Sequence, residues 1–413
     1  MTDDEANGRR ALVRVDFNVP LTGEGETRAV ASDARVRATL PTVEALLGRS
    51  VTIVLASHLG RPGGAADRAL SLKPVARRVE ELLGRPIIFL PEPFDERSLK
   101  LVRDSEGGEI YLLENLRFHP GEKANDAGFA ETLAAYGEFF VQDAFGTCHR
   151  AHASTVGVTE HLTPCVAGRL VAAELAAFRR LLDPEPPFLA VLGGAKIAGK
   201  LETVGALLDR ADTVCLGGGL ANTFLRASGV DVGDSLVEDD LVDEARDLLE
   251  RHGEALTLPV DAVVAREIAP DAETRTIEIG TAGSAGVEPG WKILDVGPRT
   301  VERFTAAIDR ARTIFWNGPL GVFETPPFDA GTRALAERLA RATDRGAYTV
   351  TGGGDSLAAL EQAGLVDAVG HASTGGGAAL ELVSGASLPG IEALDPPISR
   401  GGGRASGEHQ GSP

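Results

Sequence analysis

The feature that most constrains this chain is a repeated unit. A short, unbroken apolar run ends in a glycine-rich or polar turn and is followed by a segment with helical apolar spacing. The runs are Ala11–Val15, Val51–Ala56, Ile110–Leu113 and Phe139–Val141, then Phe188–Leu192, Thr213–Leu216, Ala255–Ala265, Thr313–Trp316 and Ala347–Val350. Between them lie helical patterns at Leu72–Leu83, Phe129–Tyr136, Thr203–Ala211, Asp239–His252, Val301–Ala311 and Ala330–Ala342. Strands that are apolar without alternation are buried on both faces, as in parallel sheets covered by helices. The pattern therefore predicts an α/β fold with two doubly wound parallel sheets. At 413 residues the chain is too long for one ordinary domain.

The divider is expected at residues 168–183. Leu170 to Phe178 combines strong helix formers with i, i+3, i+4 apolar spacing, and the prolines after Asp183 stop the helix. Such a segment reads as a hinge helix joining residues 1–167 to residues 184–387, or more plainly as one further surface helix. Residues 400–413 are Gly, Ser and polar, a composition expected to be disordered.

Of the 50 glycines, thirteen sit at predicted strand ends in the second half: Gly193-Gly194, Gly217 to Gly219, Gly318 with Gly321, Gly352 to Gly354 and Gly375 to Gly377. In open α/β sheets, ligands bind at carboxyl strand ends. Glycine there lets backbone N–H groups approach phosphate oxygens. One such turn is as well explained as a mere change of direction, but five in one half point to a nucleotide. The P-loop pattern is absent, and the G-x-G-x-x-G pattern lacks its last glycine at both candidate sites. Lysine is scarce, six against 35 arginines. Two of the six, Lys196 and Lys200, stand four apart after a strand end, where a shared helical face suits phosphates. A solvated basic turn is the alternative. Asp355, directly after Gly352–Gly354, is a candidate Mg²⁺ ligand or an ordinary helix cap.

The first half carries cations at strand ends instead: Arg14 with Asp16 and Asn18, then Arg35, His58 with Arg61, Arg117, and Arg150. Singly, each arginine reads as a surface ion pair. Together they form a basic pocket for a small anion. The net charge of −19 argues against nucleic acid or an anionic membrane as a partner. Cys148, Cys165 and Cys215 have no disulfide or zinc-ligand spacing. No apolar run approaches a membrane span, and no secretory leader is recognisable at the N-terminus. The expectation is a reduced cytoplasmic protein. Its Arg-for-Lys bias fits either a salt-loaded cytoplasm or GC-rich coding.

Eight segments in order resemble the phosphoglycerate kinase family. They are Arg14 to Pro20, Ala56 to Pro62, Leu113 to Phe118, Asp143 to His152, Leu192 to Lys196, Phe315 to Glu324, Gly352 to Ser356 and Ser373 to Gly377. The resemblance implies two Rossmann-like domains facing each other across a cleft, with residues 388–399 returning to the first. It implies that Asp16, Asn18, Arg35, His58, Arg61, Arg117 and Arg150 bind 3-phosphoglycerate or 1,3-bisphosphoglycerate. ATP or ADP would lie on Gly194, Ala195, Lys196, Lys200, Gly218, Asn317, Pro319, Glu324, Gly352, Gly353, Gly354, Asp355 and Ser356. Asp355 would hold Mg²⁺. Arg35, Lys196, Gly353 and Gly376 would surround the transferring phosphoryl group. Gly217–Gly219 and Leu294–Gly297 would wall the adenine. The implied enzyme is a monomer that transfers phosphate from MgATP to a carboxylate after hinge closure.

Cys148 and Gly199 depart from the family pattern, the first by a small change in size and the second before Lys200. Two other readings stay open on the residues alone. One is a nucleotide-dependent oxidoreductase, against which the missing glycines count. The other is a non-catalytic nucleotide binder, against which the retained lysines, Asp355 and arginines count.

Overall fold

The computed structural model describes residues 6–195, 200–280 and 286–396. Lys196 and Gly199, and the tail at 400–413, lie outside the described residues. The first sheet is built from β1 (Arg10–Val15), β2 (Thr52–Ala56), β3 (Ile88–Leu90), β4 (Ile110–Leu113), β5 (Phe139–Asp143) and β6 (Cys165–Ala167). Its order is β3-β4-β2-β1-β5-β6, with every pairing parallel. The second contains β7 (Phe188–Leu192), β8 (Thr213–Leu216), β9 (Leu256–Thr257), β13 (Thr313–Asn317), β14 (Tyr348–Gly352) and β15 (His371–Ser373). Its order is β9-β8-β7-β13-β14-β15, again all parallel. The unbroken burial of β2, β4, β5, β7 and β13 follows from helices on both faces.

In each sheet the chain reverses its winding direction beside a central strand, β1 in the first and β7 in the second. Crevices at such reversals, outside the carboxyl strand ends, are where this architecture binds ligands. The residues that follow β1, β2, β4 and β5 therefore converge on one side of the first sheet. Those that follow β7, β8, β13, β14 and β15 converge on one side of the second.

One expected strand is not continuous. The run from Ala255 to Ala265 breaks at Pro259, which has no N–H for a ladder. Its first part is β9. Its second, β10 (Asp261–Ala265), leaves the sheet and pairs antiparallel with β11 (Thr274–Glu278) and β12 (Lys292–Val296). A 14-residue helix at Ala34–Leu47, which contains Pro41, carries Arg35 in its first turn.

The expected divider is a helix at Arg169–Leu182, exposed along one side and packed along the other. Its buried face carries Val171, Glu174, Ala177, Phe178 and Leu181. The Phe178 ring stacks on Phe145, 5.5 Å between centroids, and meets Phe315 edge-on at 6.3 Å. Phe145 follows β5 of the first sheet, whereas Phe315 lies in β13 of the second. One side chain thus joins two sheets. Gly375 permits this closeness, since a Cβ there would stand 2.2 Å from the Phe145 ring. The segment 388–396 returns to the first sheet's side of this region. Gly390 N–H donates to the Cys148 carbonyl at 2.8 Å, and Cys165 N–H donates to the Asp395 carboxylate, also at 2.8 Å. The Cys148 side chain is fully buried in the core shared by the two halves.

Phe178→Ala should destabilise the protein by about 3–5 kcal/mol, because it opens a cavity at the junction. Chemical denaturation measures this. A loss below ~1 kcal/mol would mean that the junction collapses freely around the gap.

Candidate active site

The carboxyl ends of the two sheets enclose a cavity of about 460 Å³. Asp16, Asn18, Arg35, His58, Arg61, Arg117 and Arg150 all line it, so the residues expected to bind the substrate do converge. The opposite wall is Thr374, Gly376 and Gly377, which follow β15. Lys123, His149 and Thr147 line it as well, and sequence reasoning did not single them out. Lys123 had no marker, since a lone lysine in a turn is indistinguishable from any solvated one, and Thr147 lay within the quoted Asp143 to His152 segment without a role. His149 lay within a quoted segment without a role.

The cations are held by their surroundings. One Arg35 Nη donates to the Asn18 carbonyl at 2.7 Å and lies 3.4 Å from the Asp16 carboxylate. Arg117 donates to the Gly60 carbonyl at 2.7 Å. Burial and the neighbouring Arg14 and Arg150 lower its pKa to about 10, which still leaves it charged at neutral pH. Asn18 accepts from Gly60 N–H, which fixes the turn that carries Arg61. Burial and then Arg150 lower His149 to about 4, so it is neutral, and Arg150 Nε donates to its Nε2 at 2.9 Å. The cavity is therefore strongly cationic inside an acidic molecule, which suits a small, multiply charged anion.

The second sheet supplies backbone rather than charge. The helices Gly354–Ala363 and Gly376–Val383 begin side by side, with the Gly353 Cα 3.6 Å from the Cβ position of Gly376. Their unpaired N–H groups and dipoles favour anions. Arg35 reaches across from the first sheet, its guanidinium 3.7 Å from the Cβ position of Gly354. Gly353 has φ +103°, a conformation other residues rarely adopt.

Other candidate residues meet beside β7. Gly194 N–H donates to the Pro319 carbonyl at 2.8 Å, and Gly218 N–H donates to the Leu320 carbonyl at 2.9 Å. Ala195 sits directly over Gly219, its carbonyl 2.9 Å from that residue's Cβ position. Lys200 Nζ donates to the Gly193 carbonyl at 2.7 Å. Burial lowers its pKa, and Asp355 opposes that effect. Asn317 donates to the Gly352 carbonyl, and the Ser356 hydroxyl accepts from Gly318 N–H, both at 2.6 Å. These two polar side chains tie neighbouring turns together. Asp355 and Glu324 are exposed. Val322 N–H bonds to the Leu294 carbonyl, which sets the loop leading to Glu324 against β12. Leu236, unremarked in the sequence, is 54% exposed beside Gly219.

Two buried carboxylates organise the link between the halves. Glu174, on the linking helix, accepts from Thr374 N–H at 3.0 Å and pairs with His371 at 2.7 Å. It thereby holds the turn that opens the cavity's second wall. Asp143, at the end of β5, accepts from Leu170 N–H at 3.0 Å in the first turn of that helix. Its second oxygen has no partner among the described residues.

Comparison with known proteins shows which family the chain is similar to. The family profile for phosphoglycerate kinase matches residues 1–386. The phosphoglycerate kinase of Synechococcus elongatus is 46% identical over 399 residues, 96% of this chain and 97% of its own length. That of Chloroflexus aurantiacus is 48% identical over 396 residues, covering 94% and 96%. Among solved structures, phosphoglycerate kinase from Coxiella burnetii superposes with TM-score 0.78 at 38% identity, covering 94% of this chain and 96% of that one. The Pyrococcus horikoshii enzyme gives TM-score 0.83 at 31% identity, with the same coverage.

Burial pushes Asp143 up to about 6 from 3.8. The folded state then holds this proton more tightly than the unfolded chain. The charged carboxylate therefore weakens the fold above pH 6, and that penalty vanishes as pH falls towards 4. Relative to Asp143→Asn, wild type should gain on the order of 2 kcal/mol between pH 7 and pH 4. Denaturant titrations of both proteins across that range test this, and a constant difference would contradict it.

Proposed function

Since the chain belongs to the phosphoglycerate kinase family, we propose that its two-walled cavity is where the phosphoryl group crosses between substrates. The enzyme catalyses reversible transfer between ATP and the carboxylate of 3-phosphoglycerate, giving ADP and 1,3-bisphosphoglycerate. The observation that carries the site assignment is that Arg35, His58, Arg61, Arg117 and Arg150 share one cavity with Gly376 at a helix start. In this reading Asp16 and Asn18 complete the 3-phosphoglycerate site. Gly194, Ala195, Lys200, Gly218, Asn317, Pro319, Glu324 and Gly352 to Ser356 form the nucleotide site, with Leu236 as an apolar wall for the base. Lys196 stands next to this group in sequence and is assigned to the transferring phosphoryl group on the resemblance alone.

The chemistry needs no general base. A carboxylate of pKa near ~4 is ionised at neutral pH and is already a nucleophile. It attacks the γ-phosphorus in line, and the bond to the ADP oxygen breaks. The protein then has to position the two anions and balance charge that spreads over the equatorial oxygens. Arg35 from one side and the N–H groups at Gly353, Gly354 and Gly376 from the other suit that task. A Mg²⁺ ion fits the exposed carboxylate of Asp355, and among the described residues no group of three or more His, Cys, Asp or Glu side chains could hold a metal by itself. Nucleotide phosphates would supply the remaining ligands. The ion would neutralise phosphate charge there.

We assign residues 1–167 and 388–396 to the 3-phosphoglycerate domain and 184–387 to the nucleotide domain. The Cys148–Gly390 and Cys165–Asp395 hydrogen bonds support the returning segment. We infer a cytoplasmic monomer that acts on small molecules and not on nucleic acid, in keeping with its acidic surface. Among the described residues no helix is long and apolar enough to cross a membrane.

The reading predicts ATP-dependent phosphorylation of 3-phosphoglycerate, followed by coupled reduction of the product. Asp355→Ala should raise the Mg²⁺ concentration needed for half-maximal rate at least tenfold, and an unchanged requirement would remove Asp355 from the metal site. Closure about the Arg169–Leu182 helix should exclude water and limit ATP hydrolysis. Small-angle scattering should then show compaction with both substrates bound, and an unchanged radius of gyration would contradict hinge closure.

A further inference from the structure

Arg14 resembles the pocket arginines in sequence but not in space. It is 1% exposed and does not line the cavity. Its Nε donates to the Ser154 hydroxyl at 2.8 Å, another N–H donates to the Val15 carbonyl, and Nη2 lies 3.1 Å from His58 Nδ1. Ser154 bridges Arg14 to a counter-ion: its hydroxyl donates to Glu122 at 2.6 Å, and Glu122 is fully buried. His58 itself lines the cavity, and its other ring nitrogen has no hydrogen-bond partner among the described residues. A guanidinium carries five donors and no acceptor. Its contact with Nδ1 therefore demands a lone pair on that nitrogen.

We propose that Arg14 is a positioning residue that fixes His58 as the neutral tautomer protonated on Nε2, so that His58 meets the bound anion as a hydrogen-bond donor. The inference rests on the reading of this cavity as the 3-phosphoglycerate site. The charged surroundings agree with it. Arg14 acts on the ring from β1, Arg35 from the Ala34–Leu47 helix, Arg117 from the turn after β4 and His152 from the loop after β5, while Asp16, just after β1, lines the same cavity and Glu122 lies behind Arg14. Burial and the excess of cations hold the ring's pKa well below its ordinary value. His58 then contributes one directed donor whose strength does not vary over the physiological pH range. The permanent charge is left to the arginines. A protonated ring would lose the Arg14 contact, since both nitrogens would be donors.

The test uses the full chain labelled with ¹⁵N-histidine, with long-range ¹H–¹⁵N spectra of the rings recorded from pH 8 to pH 5. His58→Gln identifies the His58 signals by their loss. The expected result is a bare Nδ1 and a protonated Nε2 throughout, with the Nε2 proton shifting when 3-phosphoglycerate is added. A ring protonated on Nδ1, or one titrating near 6.5, overturns the proposal. The expected tautomer without a response to 3-phosphoglycerate overturns the donor role. If coupled turnover of 3-phosphoglycerate were then still observed, the reading of the cavity would stand.

The double variant Arg14→Met, Glu122→Gln removes both buried charges together. It should give mixed tautomers and raise KM for 3-phosphoglycerate about tenfold with kcat within about threefold, the scale of one hydrogen bond to a charged group. Arg14→Lys keeps a donor and should recover most of the KM. Should the variants fold poorly, the wild-type spectra decide the question. A variant that folds and leaves the tautomer unchanged overturns the role of Arg14.

Discussion

One helix, Arg169–Leu182, sets the geometry on which the cleft depends. It is buried along one face, and that face speaks to both sheets. Phe178 touches Phe145 from the first and Phe315 from the second. Glu174 grips the Thr374 turn, while Asp143 of the first sheet holds the helix start. A rotation of this helix would therefore move a cavity wall relative to the arginines. The contacts are short-ranged and the carboxylates are buried, so small displacements would cost a great deal. Such an element suits a hinge with a few discrete positions better than a loose tether.

Much of the fold was legible because burial on both faces leaves an unmistakable apolar run. Phe188–Leu192, Thr213–Leu216 and Ile110–Leu113 match their strands at both ends. The small antiparallel sheet was not legible, since β11 is largely exposed and polar and β10 looks like a continuation of β9 until Pro259 is weighed. The site was legible as a set of motifs, but the roles within it were not. Arg14 and Arg35 both belong to the strand-end series of cations, yet one is buried behind the cavity and the other lines it. Register and layer depth separate them, and neither is written locally. Ser356 and Asn317 carry a structural task that the sequence did not announce, since each also bonds to backbone of a neighbouring turn.

The glycine excess has two distinct causes. At Gly353 the backbone adopts a positive φ at a helix start, a conformation that side-chain-bearing residues rarely take up. At Gly193 and Gly318 the reason is steric. A Cβ on Gly193 would lie 2.1 Å from the Pro319 carbonyl, and one on Gly318 would lie 2.3 Å from the Gly193 carbonyl, so the turns after β7 and β13 can approach only because neither residue carries a side chain. Backbone packing of this kind brings Gly194, Gly218 and Pro319 together before any ligand arrives. Part of the glycine content thus builds the nucleotide side instead of contacting a nucleotide.

The net charge of −19 describes the exterior and says little about the cleft. Concentrating Arg35, Arg61, Arg117 and Arg150 in one cavity is costly, because like charges and partial burial both disfavour it. The depressed pKa of Arg117 records that cost. The protein limits it in two ways. Asp16 and the buried Glu122 balance the nearest cations, and the histidines of the site are kept neutral. His58 and His149 both sit far below their ordinary pKa, so neither adds charge where four guanidinium groups already stand. The remaining positive potential is what an anion with two or more charges would relieve on binding. Binding would then favour the closed cleft, because the second wall brings helix N-termini towards the same anion. In the proposed mechanism closure would thus be tied to occupancy by electrostatics on both faces of one cavity.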